Sequence, residues 1–133
     1  MKALILAAGE GTRLRPLTLD RPKPMLPIAG KPLLEHLVNL LVAHGVCDIA
    51  INLDYKPDVV TSHFGDGGAW RARIVYSHEE RMLGTAGAVR RLQWFLDERF
   101  FVLYGDVLTD LDLTALAAFH SQRRAVLSAA SRA

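Results

Sequence analysis

The residues of this sequence that could act on a phosphorylated ligand are concentrated near its amino terminus. Residues 9–31 contain five basic side chains and two acidic ones, Glu10 and Asp20; the basic side chains are Arg13, Arg15, Arg21, Lys23 and Lys31. Glycines at positions 9 and 11 allow backbone amides to approach an anion closely, and arginine and lysine neutralise phosphate oxygens. This segment therefore predicts a polyphosphate site.

Lys23 lies between two prolines, Pro22 and Pro24. Because proline restricts the backbone, the ammonium group of Lys23 would be positioned at a low entropic cost. Transfer of a phosphoryl or nucleotidyl group requires a positioned cation of this kind. The glycine pair taken alone fits equally well a turn that closes a strand, with solvated arginines around it.

Two familiar phosphate-binding motifs match this sequence poorly. The dinucleotide-binding fingerprint requires a third glycine three residues after Gly11, where this sequence has Leu14, and a proline-rich stretch replaces the helix that should follow at once. A Walker-type loop requires a closing Gly-Lys-Ser/Thr, which the sequence lacks.

The elements that must position this loop alternate along the chain. Short apolar runs predict strands at residues 3–8, 46–53, 72–76 and 99–104, and the start of a further strand at 125–130. Apolar residues at helical spacing predict helices at residues 32–44, 58–64, 85–96 and 114–124. We expect an α/β fold, a Rossmann-like three-layer sandwich with a mainly parallel sheet, in which ligands bind at the carboxyl ends of the strands.

Two polar segments follow predicted strands at that edge of the sheet. Asp106 comes after the strand at 99–104, where a carboxylate is a suitable hard-oxygen ligand for Mg²⁺. An aspartate is also common in turns, and the cationic loop is what favours the metal-ligand interpretation. Glu79 and Glu80 precede Gly84 and could approach a ligand, but we expect them in a solvated turn. The five histidines are dispersed, which argues against a zinc site.

Composition predicts one domain over residues 1–133. Half of the 133 residues are hydrophobic, and the formal net charge is only +2, so the balance gives no case for a nucleic-acid or membrane partner. The apolar start is too short for a signal peptide, and no apolar stretch is long enough to span a bilayer, which predicts a cytoplasmic protein. Cys47 lies in an apolar context, and we expect it to be a buried thiol.

The motifs together resemble the signature of the sugar-1-phosphate nucleotidyltransferases, also called nucleotide-sugar pyrophosphorylases. They are LAAGEGTRL at 6–14, PKP at 22–24, LGTAGA at 83–88 and GDVL at 105–108. The last two are placed as in members that resemble mannose-1-phosphate guanylyltransferases. The similarity covers essentially the whole chain.

The resemblance implies a nucleotide-binding role for several residues. The base and ribose would be lined by Leu6, Ala7, Ala8 and Gly9. The triphosphate would be bound by Gly11, Thr12 and Arg13, while Gly84 and Thr85 would contact the base edge and the ribose.

It also implies catalytic and metal-binding roles. Arg13 would stabilise charge on the departing pyrophosphate, Lys23 would bridge the α-phosphate and the sugar phosphate, and Asp106 would be one carboxylate ligand of Mg²⁺. The chemistry agrees, because attack by one polyanion on another requires cations that offset their repulsion.

The implied reaction joins a nucleoside triphosphate to a sugar 1-phosphate, giving a nucleotide sugar and pyrophosphate. GTP and mannose 1-phosphate are favoured, with a manno-heptose or glucose 1-phosphate next. Family catalytic domains are longer than this chain, so it resembles their amino-terminal part, without the carboxyl-terminal sugar-binding part. The alternative is a nucleotide-binding or regulatory module, or an inactive fragment. A truncated sheet would expose an apolar edge, which predicts self-association into a homo-oligomer.

Overall fold

The protein alternates strands and helices around a central sheet. In the computed structural model, which describes residues 1–81 and 83–131, the elements are β1 (Lys2–Leu6), β2 (Pro27–Ile28), β3 (Lys31–Pro32), α1 (Leu33–Ala43), β4 (Asp48–Leu53), α2 (Pro57–Phe64), β5 (Arg73–His78), α3 (Gly84–Arg91), β6 (Phe100–Tyr104) and α4 (Leu113–Arg123). Strands β5, β4, β1 and β6 form, in that order, a four-stranded sheet. All of its strand pairs are parallel, and the predicted α/β fold is confirmed.

Strand β1 is buried on both faces, which explains its continuous apolar sequence. Alternate side chains point to opposite faces of a strand, and Ala3 and Ile5 pack in a core cluster with residues of α1 and α2. Leu4 packs in a second cluster with Ala88 of α3 and with Phe95. The sheet is therefore covered by helices on both sides, as a three-layer sandwich requires.

Several boundaries differ from the predicted ones. Strand β1 ends at Leu6, and α3 ends at Arg91, although the prediction continued to residue 96. After α3 the chain forms tight turns, in which the amides of Phe95 and Leu96 both donate to the Leu92 carbonyl. Phe95 and Leu96 still pack in the core. Their apolar side chains had therefore been assigned to a longer helix.

Two other predictions were wrong. The start of a strand at residues 125–130 is not found; this segment has no regular structure, and Val126 is fully exposed. Cys47 is exposed rather than buried. It lies in the connection between α1 and β4, where its neighbour Val46 is the residue that packs in the core.

Strand β6 is an edge of the sheet within the described residues and pairs only with β1. Large apolar side chains are exposed on this strand and directly after it: Val102 and Tyr104 belong to β6, and Val107 and Leu108 follow it in the chain. No helix in the described ranges is both long and apolar enough to cross a membrane. An unpaired strand edge next to apolar surface favours pairing with another chain.

We therefore expect this 133-residue chain to self-associate as its concentration rises. Light scattering after size-exclusion chromatography measures the mass directly. Val102→Lys places a charge on the exposed edge and should shift the distribution toward monomer. A monodisperse monomer at high concentration for the unsubstituted chain would contradict the prediction.

Candidate functional site

A cleft of about 540 Å³ opens at the carboxyl ends of β1, β4 and β6. Every residue predicted to bind nucleotide, act in catalysis or bind metal lies along it: Leu6, Ala7, Ala8, Gly9, Gly11, Thr12, Arg13, Lys23, Gly84, Thr85 and Asp106. These residues come from three separated parts of the sequence. The structure thus brings the predicted set together, while the role of each residue stays a prediction.

The amino-terminal loop is folded against itself by Gly11. This glycine adopts a left-handed conformation with φ of 68°, and its carbonyl accepts hydrogen bonds from the Leu14 amide at 3.0 Å and the Thr18 hydroxyl at 2.8 Å. A Cβ atom at position 11 would lie 2.8 Å from the Cβ of Lys23. The absence of a side chain here is therefore what allows Lys23 to approach the loop.

The middle of the loop is attached to the rest of the protein by Tyr55. Its hydroxyl donates to the Thr18 carbonyl at 2.7 Å and to the Leu19 carbonyl at 3.1 Å. The loop also contains two short 3₁₀ turns, Thr12–Leu14 and Lys23–Met25. Together these contacts give the proline-rich segment a defined path along the cleft.

Gly11→Ala should weaken nucleotide binding by about tenfold or more, because both the left-handed backbone and the contact with Lys23 disfavour a side chain. Isothermal titration calorimetry with nucleoside triphosphates measures the loss. Gly30→Ala is the matched control, since Gly30 also has a positive φ, of 82°, but a Cβ there would meet nothing within 4 Å. Equal affinities for the two variants would show that the contact with Lys23 has no effect on binding.

Lys23 and Asp106 form an ion pair across the cleft, with Nζ and Oδ2 3.1 Å apart. The side chains are 36% and 45% exposed, and exposed pairs of this kind contribute only about 0–1 kcal/mol. A ligand can therefore separate the two groups at little cost. The pair joins the loop after β1 to the turn after β6, two segments that are distant in sequence.

Gly105 determines where Asp106 lies. Its amide donates to the Leu6 carbonyl at 2.8 Å, which continues the pairing of β6 with β1 by one residue. A Cβ atom at position 105 would lie 2.8 Å from the Leu6 oxygen and 3.3 Å from the Ala7 Cβ. Glycine is required because the two backbones approach so closely.

The predicted magnesium site would take only some of its ligands from the protein and the rest from the substrate and water. Mg²⁺ is usually bound by one or two carboxylates together with waters and substrate phosphates, and Asp106 supplies one such carboxylate. In residues 1–81 and 83–131 there is no group of three histidine, cysteine, aspartate or glutamate side chains that could bind a metal by themselves. With Asp106 as its protein ligand, a Mg²⁺ ion would need waters and substrate phosphates to complete its coordination.

A buried polar network that lines part of the cleft was not predicted. Asn52, at the carboxyl end of β4, is 4% exposed, and so is Glu79. The Asn52 Oδ1 accepts a hydrogen bond from the Ala7 amide at 2.6 Å, and its Nδ2 donates to Glu79 Oε1 at 3.0 Å. The expectation that Glu79 lies in a solvated turn was wrong, because its side chain is buried. The hydrogen bond from Asn52 offsets the loss of water around the carboxylate. An asparagine within the apolar run of β4 was the available signal.

A protein-family model described as nucleotidyl transferase matches residues 2–132. The chain belongs to the nucleotidyl transferase family. A UTP–glucose-1-phosphate uridylyltransferase from Synechocystis is 42% identical to it, over 95% of this chain and 36% of the relative. A mannose-1-phosphate guanylyltransferase from Mycobacterium tuberculosis is 45% identical, over 92% of this chain and 34% of the relative. The family resemblance found in the sequence is thereby confirmed.

A solved structure shares the fold of this chain. HddC from Yersinia pseudotuberculosis, crystallised with GMP-PN, matches this chain with a TM-score of 0.78 and 32% sequence identity, over 90% of this chain and 53% of HddC. This 133-residue chain spans about a third of the length of the two curated relatives above and about half of the HddC chain. The match therefore concerns one part of those proteins.

Proposed function

We propose that the chain is the nucleotide-binding part of a sugar-1-phosphate nucleotidyltransferase and that residues 1–133 form a single domain. The observation that supports this most directly is the convergence of the loop after β1, the start of α3 and the turn after β6 on one cleft. Cationic side chains, glycines whose backbone a phosphate can approach closely, and a carboxylate meet there, as transfer of a nucleotidyl group between phosphates requires.

In the proposed reaction, an oxygen of the sugar 1-phosphate attacks the α-phosphorus of the nucleoside triphosphate. A bond forms between that oxygen and the α-phosphorus, the bond to the bridging oxygen of the β-phosphate breaks, and pyrophosphate leaves. Lys23 neutralises charge between the α-phosphate and the incoming phosphate, while Arg13 stabilises the departing pyrophosphate. Positioned charges of this kind favour the transition state because they need no rearrangement as the charge moves.

The remaining cleft residues bind the nucleotide in this proposal. Leu6, Ala7, Ala8 and Gly9 line the base and ribose, and Gly84 and Thr85 contact the base edge and the ribose. Gly11 and Thr12 bind the triphosphate with Arg13.

Asp106 is the proposed protein ligand of Mg²⁺. A bound Mg²⁺ would supply charge neutralisation on the phosphates. The ion pair with Lys23 uses Oδ2 of Asp106, so Oδ1 would be the oxygen offered to the metal while the Lys23 ammonium stays beside it.

GTP and mannose 1-phosphate are the favoured substrates in this proposal. Support comes from the similarity to a mannose-1-phosphate guanylyltransferase and from the GMP-PN complex of HddC. The uridylyltransferase with comparable identity supports UTP and glucose 1-phosphate instead. Base and sugar must therefore be measured together.

A nucleotide-binding module without catalytic competence is the second candidate. It is favoured by the presence, in the described part of the cleft, of Asp106 as the one proposed metal ligand, and by the match to about a third of the curated relatives. Such a module would bind a triphosphate and release no pyrophosphate.

Pyrophosphate release separates the two candidates. The chain is incubated with Mg²⁺, each nucleoside triphosphate in turn and a panel of sugar 1-phosphates, with Lys23→Ala as the control variant. Release that requires both substrates and Lys23 supports the enzyme and identifies its base and sugar. Nucleotide binding without release supports the binding module.

A further inference from the structure

Thr18 is buried in a part of the amino-terminal loop where its apolar neighbours are not. It is 1% exposed, whereas Leu17 is 61% exposed and Leu19 is 56% exposed. Burial of apolar surface usually holds a loop against its protein, and threonine is usually an exposed residue. Here the polar residue is the buried one, so its burial must have a cause other than hydrophobicity.

The Thr18 hydroxyl completes the hydrogen bonds of one backbone carbonyl in the loop. A carbonyl can only accept, so the hydroxyl donates to the Gly11 oxygen, at 2.8 Å. The same oxygen accepts from the Leu14 amide at 3.0 Å, and a carbonyl has two lone pairs. The two donors therefore fix the direction of the Gly11 carbonyl. The Thr18 methyl group packs on the same glycine, because a Cβ atom at position 11 would lie 3.1 Å from Thr18 Cγ2.

The direction of this carbonyl determines the direction of the Thr12 amide. The peptide between Gly11 and Thr12 is trans, and in a planar trans peptide the C=O and N–H groups point in opposite directions. The Thr12 amide therefore points away from Thr18. Gly11, Thr12 and Arg13 line the cleft, so Thr18 acts on backbone that faces the cleft from behind it.

Thr18 is in turn attached to the sheet by Tyr55, which lies two residues after the end of β4. The Tyr55 hydroxyl donates to the Thr18 carbonyl at 2.7 Å. Thr18 thus connects the sheet, through its carbonyl, to the Gly11 peptide, through its hydroxyl. Groups that are held in place before a ligand arrives lose less entropy when it binds.

We infer that Thr18 is a positioning residue for the polyphosphate, because it sets the direction of the Gly11–Thr12 peptide, and that Tyr55 holds Thr18 in place. The inference rests on the proposed function, in which Gly11, Thr12 and Arg13 bind the triphosphate. Without the hydroxyl, the peptide would be free to turn away from the phosphates. The loss of affinity should fall on the β- and γ-phosphates, since the base and ribose bind along other parts of the cleft.

Thr18→Val tests the inference, because it removes the hydroxyl and keeps the shape of the side chain. Calorimetry with Mg²⁺ measures the affinities of the unsubstituted chain and of each variant for GTP and GMP, and for UTP and UMP. Thr18→Val should weaken triphosphate binding by about tenfold and change monophosphate binding by less than about twofold. Thr18→Ser keeps the hydroxyl and should bind the triphosphates as the unsubstituted chain does.

Tyr55→Phe tests the other end of the connection and leaves Thr18 itself intact. It should weaken triphosphate binding selectively as well, by about three- to tenfold. Tyr76→Phe is the matched control, since the Tyr76 hydroxyl also donates to a backbone carbonyl, that of Gly65 at 2.6 Å, and Tyr76 does not line the cleft. The control should lower the melting temperature and leave the ratio of triphosphate to monophosphate affinity unchanged.

The outcomes separate this inference from the proposed function. If the unsubstituted chain binds no nucleotide, or binds triphosphates no better than monophosphates, the proposed triphosphate site and the inference both fail. If Thr18→Val and Tyr55→Phe bind triphosphates normally, or weaken both classes of nucleotide equally, the inference alone is overturned. Equal losses in Thr18→Ser and Thr18→Val would also overturn it, because the hydroxyl would not be the group responsible. If Thr18→Val does not fold, Tyr55→Phe decides by the same criteria.

Discussion

Replacing Lys23 by alanine is expected to lower the rate of pyrophosphate release by about two to three orders of magnitude. The ammonium lies in the cleft 3.1 Å from the Asp106 carboxylate, on a segment whose path is restricted by two prolines and by contact with Gly11. Losing it would leave charge on the reacting phosphates without a positioned cation. The same argument applies to Arg13→Ala at the pyrophosphate.

Steady-state assays at saturating nucleotide and sugar phosphate measure this loss. Lys31→Ala is a suitable control because Lys31 is an exposed lysine of the same amino-terminal segment outside the cleft. Circular dichroism must show that both variants remain folded. Unchanged turnover in a folded Lys23→Ala protein would remove this lysine from the mechanism.

Gly105→Ala is expected to lower the free energy of unfolding by about 2–3 kcal/mol, because the added methyl group would overlap the backbone of β1. The contact would be with the Leu6 oxygen at 2.8 Å, which cannot move without weakening the pairing of β1 and β6. For a chain of this size the loss corresponds to a fall in melting temperature of about 10 °C. Asp106 would be displaced at the same time, so nucleotide affinity should fall as well.

Thermal unfolding monitored by circular dichroism measures the stability change. Gly9→Ala provides the comparison, since a Cβ atom at Gly9 would meet nothing within 4 Å, and its melting temperature should match that of the unsubstituted protein. If Gly105→Ala melts at the same temperature too, the close approach of the two strands would not require glycine.

Much of the fold could be predicted because its signals are local. The apolar run that includes Leu4 and Ile5 is a strand buried on both faces, and apolar residues at helical spacing indicate a helix that packs on it. The cleft followed from one further rule, that the carboxyl ends of parallel strands meet at the same edge of a sheet. The same rule predicts that the loops carrying Arg13, Lys23 and Asp106 lie at that edge, and the cleft contains all three residues.

The features that sequence reasoning missed depend on tertiary contacts. Glu79 was expected in solvent because two adjacent glutamates after a strand usually mark a turn, and only the fold brings Asn52 within 3.0 Å of it. The exposure of Cys47 depends on whether Val46 or Cys47 faces the core, a choice of register that composition does not decide. Residues 125–130 include apolar side chains that are common in strands, but within the described residues this segment pairs with no strand.

The parallel pairing of β1 has a consequence for how the protein acquires its structure. Lys2 pairs with Asp48 on one side and with Phe100 on the other, so the central strand depends on partners that are synthesised much later. Contacts between residues so distant in sequence generally make folding slow. Asp106 follows β6 and Lys23 follows β1, so a ligand that bridges these two residues should stabilise the molecules in which β6 has already paired with β1.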